Sequence, residues 1–177
     1  LGLAMVFGGP GRYRGCLGYE KHIRMLRDAH FMSIADRSIL SCWGLRGGRA
    51  GQPFSVTIDP GGTNERDVDA LADGEPVRAG EVVRIRTTGG GGWGDPLERP
   101  YDEVLRDVRW CKVSVAGAAT DYGVVVTGDA DELVVDVAGS DARRAESRAS
   151  RSGDEPFFDR GPGYARLSGG ARAAPVD

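Results

Sequence analysis

Glycine is the feature that most constrains how this chain can fold. It supplies 28 of the 177 residues, roughly twice its usual share of about 7%. These glycines stand between apolar runs typical of strands, unlike the glycines of a disordered linker. Glycine lets the backbone turn at positive φ and lets another backbone approach closely. The sequence therefore predicts a strand-rich folded domain in which the glycine clusters form tight turns or places where another group approaches the backbone closely.

Charge, cysteine content and hydropathy exclude several classes of protein. The 23 basic and 26 acidic residues give a net charge of -3, so no strong field favours nucleic acid or a membrane surface. The three cysteines have no C-x-x-C spacing, which argues against a disulfide framework or a zinc knuckle and favours the reducing cytoplasm. No apolar run approaches the ~20 residues of a membrane helix, and residues 1–7 lack the basic start of a signal peptide.

Alternating apolar residues predict strands in the first half of the chain. A short strand is expected over residues 3–7. Residues 17–27 and 30–40 are interpreted as an antiparallel hairpin, although a helix competes over residues 19–29 because this stretch contains good helix formers. Residues 54–58 and 81–87 are two further strands. The polar residues 63–80 between them are expected to form a surface loop around a turn at residues 73–74.

The period becomes helical after Pro100. Tyr101, Val104, Leu105 and Val108 form one apolar stripe, and a second helix is predicted from the N-cap Ser114 to about Gly123. Residues 124–126 and 133–137 follow as strands joined by an acidic turn. Ser140 and Asp141 are expected to cap a polar helix that ends near residue 151. Residues beyond 153 are expected to form an extended tail that a partner would order.

These elements predict an α+β fold, rich in antiparallel strands, with glycine-rich loops and a few short helices. The expected organisation has three parts. Residues 1–127 form a glycine-rich β domain, residues 128–152 form a small extension of hairpin and helix, and residues 153–177 form the tail.

The run of residues 89–96, GGGGWGDP, formally contains the G-x-G-x-x-G pattern of dinucleotide-binding proteins. That fold requires the third glycine to open a helix, but here Pro96 disfavours a helical Asp95. A Walker A loop is excluded because no Lys-Ser or Lys-Thr follows a glycine run. Two interpretations remain open, a backbone wall at a substrate pocket or subunit seam, and a tight structural corner. They concern Gly89, Gly90, Gly91, Gly92 and Asp95.

Two arginines and two tryptophans beside the glycines are further candidates for a substrate or subunit wall. Arg12 and Arg14 can grip a phosphate or carboxylate, but ordinary ion pairs with acids elsewhere are favoured. Trp43 and Trp93 are expected to pack into the space left by neighbouring glycines rather than stack on a ligand.

No catalytic residue and no metal ligand is predicted within this chain. His22 and His30 lie eight residues apart without a carboxylate pattern, which argues against a metal pair. Cys42 has no identifiable base nearby, so an inert thiol is favoured over a nucleophile.

Four motifs resemble one known family. They are GGPGRYRGCLGYEK at residues 8–21, CWGLRGGRAGQP at 42–53, VRAGEVVRIRTTGGGGWGDPLERPYDEVLRDV at 77–108 and KVSVAGAATDYGVVV at 112–126. Together they follow the order of the C-terminal part of the hydantoinase B / 5-oxoprolinase family. That family includes subunits of ATP-dependent hydantoinases, half of 5-oxoprolinase, and the large subunits of acetone and acetophenone carboxylases.

The resemblance implies the C-terminal portion of a hydantoinase B-type subunit, within an ATP-dependent complex that opens a hydantoin, oxoproline or lactam ring. The alternative is a structural or accessory subunit of a carboxylase-like complex without a catalytic site of its own. The implied partners are a hydantoinase A-type ATP-binding subunit and the N-terminal half of the B subunit. ATP and a divalent metal are expected in the complex but not on this chain, because the family's metal motifs match no residue here. The chain is not expected to be active alone.

Overall fold

A computed structural model describes residues 1–4, 7–129, 132–151 and 157–169. The strands are β1 (Gly2–Ala4), β2 (Gly18–Arg24), β3 (Ala29–Ile34), β4 (Gly44–Leu45), β5 (Ser55–Ile58), β6 (Arg66–Val68), β7 (Leu71–Val77), β8 (Val82–Arg86), β9 (Val125–Thr127), β10 (Val134–Asp136) and β11 (Phe158–Asp159). The helices are a 3₁₀ turn at Pro96–Glu98, then α1 (Tyr101–Arg109), α2 (Val115–Tyr122), α3 (Val137–Ala149) and α4 (Pro162–Leu167). This confirms the predicted α+β fold rich in antiparallel strands.

The largest sheet is antiparallel and has the strand order β1-β2-β8-β5-β6. Its central strand β8 and the neighbouring strand β5 are the strands predicted at residues 81–87 and 54–58. Alternate side chains enter a core formed by Val56, Ile58, Val77 and Val83. The prediction succeeds here because both strands are half buried, so the apolar period of two is visible in the sequence.

The predicted hairpin between residues 17–27 and 30–40 is wrong in its pairing, although both strands exist. β2 pairs with β1 and β8, whereas β3 pairs with β7. The surface loop predicted at residues 63–80 is also wrong, since β6 and β7 lie there. β7 contains Asp73, Gly74 and Pro76, which are typical of turns, but it has β3 as its only strand partner in the described chain. Such an edge position tolerates proline and glycine.

The helical part of the chain packs around a second core. Val104, Val108, Ala118, Tyr122 and Val124 are buried there, and α1 buries the predicted stripe against α2. Both predicted ends of α2 are confirmed. The Ser114 hydroxyl accepts a hydrogen bond from the Gly117 N–H, and Gly123 ends the helix with φ 62°.

α3 begins at Val137, so the predicted start at Ser140 is wrong. Asp136 is the N-cap, and its carboxylate accepts a hydrogen bond of 3.0 Å from the Gly139 N–H. The Ser140 hydroxyl is instead fully buried and accepts a hydrogen bond from the Val125 N–H. Its role is therefore to attach α3 to β9.

Residues 157–169 are folded, although an extended tail was expected there. β11 pairs with β4, with Phe158 opposite Leu45, and α4 follows it. The remainder of the expected tail, at residues 153–156 and 170–177, lies outside the described residues. The β9–β10 hairpin crosses the boundary proposed at residue 127, and the division into three parts stays a proposal.

Candidate functional site

Residues 7–16, 42–52 and 89–94 form a bundle of extended segments, which we call the glycine bundle. Backbone hydrogen bonds hold it together. Their donors advance along the chain in steps of three while their acceptors go back in steps of three. They run from Gly89 N to Gln52 O (3.2 Å), Gly92 N to Arg49 O (2.9 Å), Gly90 N to Cys16 O (2.9 Å) and Trp93 N to Tyr13 O (2.9 Å). Three residues is the repeat of the polyproline II helix, whereas a β-strand repeats every two.

The glycines of the bundle face the backbone of neighbouring segments. A Cβ on Gly91 would lie 1.7 Å from the Trp43 carbonyl oxygen, and a Cβ on Gly92 would lie 2.1 Å from that of Pro10. Gly89 faces the carbonyl oxygen of Phe7 in the same way, whereas Gly90 faces the Sγ and backbone nitrogen of Cys16 at 2.9 and 3.1 Å. Collagen requires glycine at its crowded axis for the same reason. The contacts of these four glycines are therefore those of a structural corner within the chain.

Aromatic rings and guanidinium groups form a continuous surface on one side of the bundle, which we call the aromatic–arginine face. Its consecutive contacts are Tyr13 with Trp93 (5.6 Å), Trp93 with Arg46 (6.0 Å), Arg46 with Phe157 (5.7 Å), Phe157 with Phe158 (4.8 Å), Phe158 with Trp43 (5.5 Å) and Trp43 with Arg160 (5.2 Å). Trp43 and Trp93 each remain 43% exposed. The two predicted tryptophans thus belong to one surface.

Arg14 connects the glycine bundle to α1. Its Nε donates a hydrogen bond of 2.9 Å to the carboxylate of Asp107, which is only 3% exposed. Arg99 donates to the same carboxylate at 3.0 Å. Arg12, by contrast, is exposed and lies 3.5 Å from Glu98. Both predicted arginines therefore lie in ion pairs with acids of this chain.

Asp95 ends the glycine run and is held by Arg151. Two hydrogen bonds of 2.6 and 2.8 Å join the carboxylate to the guanidinium, and the Leu97 N–H donates a third. Burial alone would raise the pKa of the Asp95 carboxyl, but Arg151 and the Leu97 N–H hold that pKa below its ordinary value. Asp95 thus remains an anion that anchors the segment after α3 to the bundle.

A cavity of about 640 Å³ lies where the bundle, α2 and the segment around β11 meet. Its lining includes Phe7, Arg49, Gln52, Asp121 and Tyr122. None of the residues predicted as wall candidates lines this cavity. The structure therefore separates the predicted residues, which build the bundle and its exposed face, from this cavity.

Most charged groups at the cavity already have partners. Arg86 forms an ion pair with Glu20, and the Lys112 ammonium lies 4.4 Å from the centre of the Trp110 ring. The Asp159 carboxylate accepts hydrogen bonds from the N–H groups of Ala50 and Gly161, both at 2.9 Å. These charged groups are therefore already engaged in contacts within the folded chain.

Arg49 and Asp121 differ from the other charged residues at the cavity. Neither side chain makes a hydrogen bond or an ion pair with any described residue. Burial raises the pKa of the Asp121 carboxyl, and the Arg49 guanidinium opposes that rise only in part. Asp121 also lies in the last turn of α2, where the helix dipole disfavours an anion.

Reasoning from the sequence missed this pair. The sequence did contain one signal for Asp121. This acid lies two residues before Gly123, at the predicted end of a helix whose last turn has no basic residue that could pair with it. Arg49 carried no such signal, because its position depends on how the glycine segments pack together.

The described part of the chain contains neither a metal-binding cluster nor a membrane-spanning helix. There, His, Cys, Asp and Glu side chains form no group of three or more that is arranged to hold a metal ion. No helix in those residues has the length and apolar character needed to cross a membrane.

Known proteins share both the sequence pattern and the fold. The beta subunit of caprolactamase from Pseudomonas jessenii is 34% identical over 147 residues, which cover 78% of this chain and 24% of that subunit. The crystal structure of the ATP-dependent caprolactamase from the same organism matches with a TM-score of 0.67 and 31% identity, over 81% of this chain and 25% of that one.

A second structural relative is acetone carboxylase. Its nucleotide-free structure, from work on ATP-dependent acetone carboxylation, matches 95% of this chain and 26% of that chain, with a TM-score of 0.70 and 25% identity. The chain thus spans about a quarter of the length of the relatives it matches.

The family model described as Hydantoinase B/oxoprolinase matches residues 3–96. This region contains the glycine bundle and the large sheet. More than half of the chain therefore follows the pattern of that family, in agreement with the resemblance of its glycine motifs. The chain belongs to the hydantoinase B/oxoprolinase family.

Proposed function

We propose that this chain is the C-terminal portion of a hydantoinase B-type subunit in an ATP-dependent enzyme that opens cyclic amides. The observation that carries this proposal is the glycine bundle, which lies within the residues that match the family. The fold of the chain also matches the caprolactamase structure, over 81% of the chain. Hydantoins, 5-oxoproline and lactams are the proposed class of substrate. They share an amide within a ring.

The energetic problem in this reaction is the amide carbonyl, which is a poor electrophile. Transfer of a phosphoryl group from ATP to the amide oxygen creates a good leaving group and couples ring opening to ATP hydrolysis. We assign ATP binding to a hydantoinase A-type partner. We place the divalent metal outside this chain as well, because its described residues offer no suitable cluster of ligands. We therefore assign no catalytic step to residues of this chain.

The role we assign to this chain is to provide a rigid scaffold with a contact surface. Tryptophan, tyrosine and arginine dominate the energetics of protein interfaces, and the aromatic–arginine face presents all three. The remaining hydantoinase B-type portion or the A-type partner would cover this face. The support is the face's composition and exposure, together with the much greater length of the relatives.

The decisive experiment is reconstitution with the remaining portion of the B-type subunit and an A-type partner. Release of phosphate and ring-opened product should depend on added lactam, hydantoin or 5-oxoproline. An assembled complex that hydrolyses no ATP with any of them would contradict the proposed activity. ATP hydrolysis that depends only on acetone or acetophenone would instead support the alternative, an accessory role in a carboxylase.

The double substitution of Arg12 and Arg14 by alanine separates a site from a scaffold. Because Arg14 is tied to buried Asp107, we expect loss of assembly or stability rather than a selective loss of turnover. Normal assembly without turnover would show that these arginines act on substrate.

A further inference from the structure

Two opposite charges line the cavity beside α2 without a hydrogen bond or ion pair to any described residue. Arg49 projects from the glycine bundle and Asp121 from the last turn of α2, and both line the same space. No ion pair of 4.0 Å or less joins them. Asp121 is half-buried, whereas Arg49 is exposed. A half-buried carboxylate without a partner costs stability, so a ligand cation beside Asp121 and a ligand anion beside Arg49 would complete contacts that the described residues leave unmade.

The rest of the lining defines what can fit between the two charges. Phe7, Pro10, Pro53, Val113 and Tyr122 provide apolar surface. The remaining charged groups, Arg86, Lys112 and Asp159, are engaged by the contacts described above. Ser41 and Gln52 add two uncharged polar side chains. The lining therefore offers one unpaired cation, one unpaired anion, two neutral polar groups and apolar walls.

We propose that this cavity binds a small zwitterion of the amino-acid type, with its carboxylate on Arg49 and its ammonium group on Asp121. The guanidinium donates hydrogen bonds to a carboxylate in a planar fork, and the Asp121 carboxylate accepts them from an ammonium group. A methylene chain between the two charges would lie on the apolar walls. A ligand with one of these charges alone would leave the other protein group unpaired.

The biological ligand of this class rests on the proposed function. When water opens a lactam, the bond between the acyl carbon and nitrogen breaks, a hydroxyl adds to carbon and a proton adds to nitrogen. At neutral pH the resulting amino acid carries a carboxylate at one end and an ammonium group at the other. We therefore assign the cavity to the amino acid released when a lactam, including 5-oxoproline, is opened.

The test uses the 177-residue chain without partners or ATP, and 6-aminohexanoate as the probe. Hexanoate and hexylamine are matched ligands that each keep one of its charges. Binding is measured by titration calorimetry, and the site is located by NMR shifts of the amides of Ala50, Gly51 and Asp121. We expect 6-aminohexanoate to bind about tenfold or more tightly than either single-charge ligand.

Four variants identify the groups that bind. Arg49→Gln and Asp121→Asn should each weaken 6-aminohexanoate about tenfold, with Arg49→Gln abolishing the advantage over hexylamine and Asp121→Asn the advantage over hexanoate. Arg106→Gln and Asp102→Asn, on the exposed side of α1, are matched controls and should leave its affinity unchanged.

Equal affinities in all variants, or no saturable binding at the highest soluble concentration, would overturn the assignment. Neither result would affect the test of the proposed function, which measures ATP hydrolysis in the assembled complex. Conversely, a complex without that activity would leave binding of the zwitterion to this cavity intact and remove only its identification as a product.

Discussion

At the scale of single residues, the glycine bundle depends on the absence of side chains at defined points. Gly91 is the clearest case, because its missing Cβ would lie 1.7 Å from the carbonyl oxygen of Trp43. A backbone carbonyl inside a hydrogen-bonded bundle cannot move aside as a flexible side chain can. The substitution Gly91→Ala should therefore lower the free energy of unfolding by about 3 kcal/mol or more.

The measurement is urea denaturation of the variant and of the original chain. Gly2→Ala is the matched control, since no atom lies within 4 Å of its added Cβ. It should have almost no effect on the denaturation midpoint. A Gly91→Ala variant as stable as the Gly2→Ala variant would show that the bundle is looser than its contacts indicate.

The ionised carboxylate of Asp121 lowers the stability of the fold. Burial raises the pKa of its carboxyl above the ordinary 3.8, so the folded chain holds this proton more tightly than the unfolded chain does. The contribution of Asp121 to stability is therefore present below about pH 3.8 and is lost as pH rises through the higher pKa of the folded state.

The substitution Asp121→Asn removes the anion from the end of α2. At pH 7 it should raise the free energy of unfolding by about 0.5–1 kcal/mol, and the gain should vanish in acid. Asp102→Asn should have the opposite sign at pH 7, because Asp102 lies in the favourable first turn of α1. Unfolding measured from pH 3 to pH 8 would test both signs. A loss of stability in Asp121→Asn at pH 7 would mean that the carboxylate has a stabilising partner.

At the scale of elements, one buried carboxylate joins the glycine bundle to the helices. Asp107 of α1 accepts hydrogen bonds from Arg14 of the bundle and from Arg99. Asp107→Asn would leave two poorly exposed guanidinium groups without their shared anion, and should cost about 3–5 kcal/mol of stability.

Thermal unfolding followed by circular dichroism would measure this loss. Asp102→Asn, on an exposed position of the same helix, is the control for removing a charge from α1. A loss in Asp107→Asn no greater than in that control would show that the connection between bundle and helices is made elsewhere.

The elements predicted correctly are those whose information is local. The stripe of Tyr101, Val104, Leu105 and Val108 predicts α1, and Ser114 with Gly123 gives both ends of α2, because capping involves residues close in sequence. The pairing of β3 with β7 was not predictable in this way. It joins residues about 40 positions apart through a strand that contains turn-forming residues.

The same distinction applies to the candidate site. Glycine motifs, Trp43 and Trp93 are conspicuous in the sequence, and they do form a common structure. Arg49 and Asp121 are 72 positions apart (121 − 49) and line the same cavity only because the bundle packs beside α2. No local pattern reports that distance, so the cavity became apparent only in the folded chain.

At the scale of the whole molecule, the aromatic–arginine face is the surface on which we propose that a partner binds. Trp93→Ala removes one of the two tryptophan rings of this face. If the face is an interface, Trp93→Ala should weaken association with the remaining B-type portion about thirtyfold or more, in line with tryptophan at interface centres.

Trp110→Ala is a matched control, because Trp110 is also exposed and contacts Arg106 and Lys112, but belongs to α1 and its C-cap rather than to this face. Sedimentation or light scattering of the mixed chains would compare the two variants. Equal association of Trp93→Ala and Trp110→Ala would place the interface elsewhere.

The central claim is that the glycine motifs build a rigid, hydrogen-bonded scaffold before any ligand or partner binds. Hydrogen exchange followed by NMR on the isolated chain measures this directly. The Gly90 and Gly92 amides, which donate to Cys16 and Arg49, should exchange about 10³-fold more slowly than in an unfolded chain. The Gly91 amide, which has no acceptor among the described residues, should exchange faster than both. Unprotected exchange at all three glycines would contradict the account.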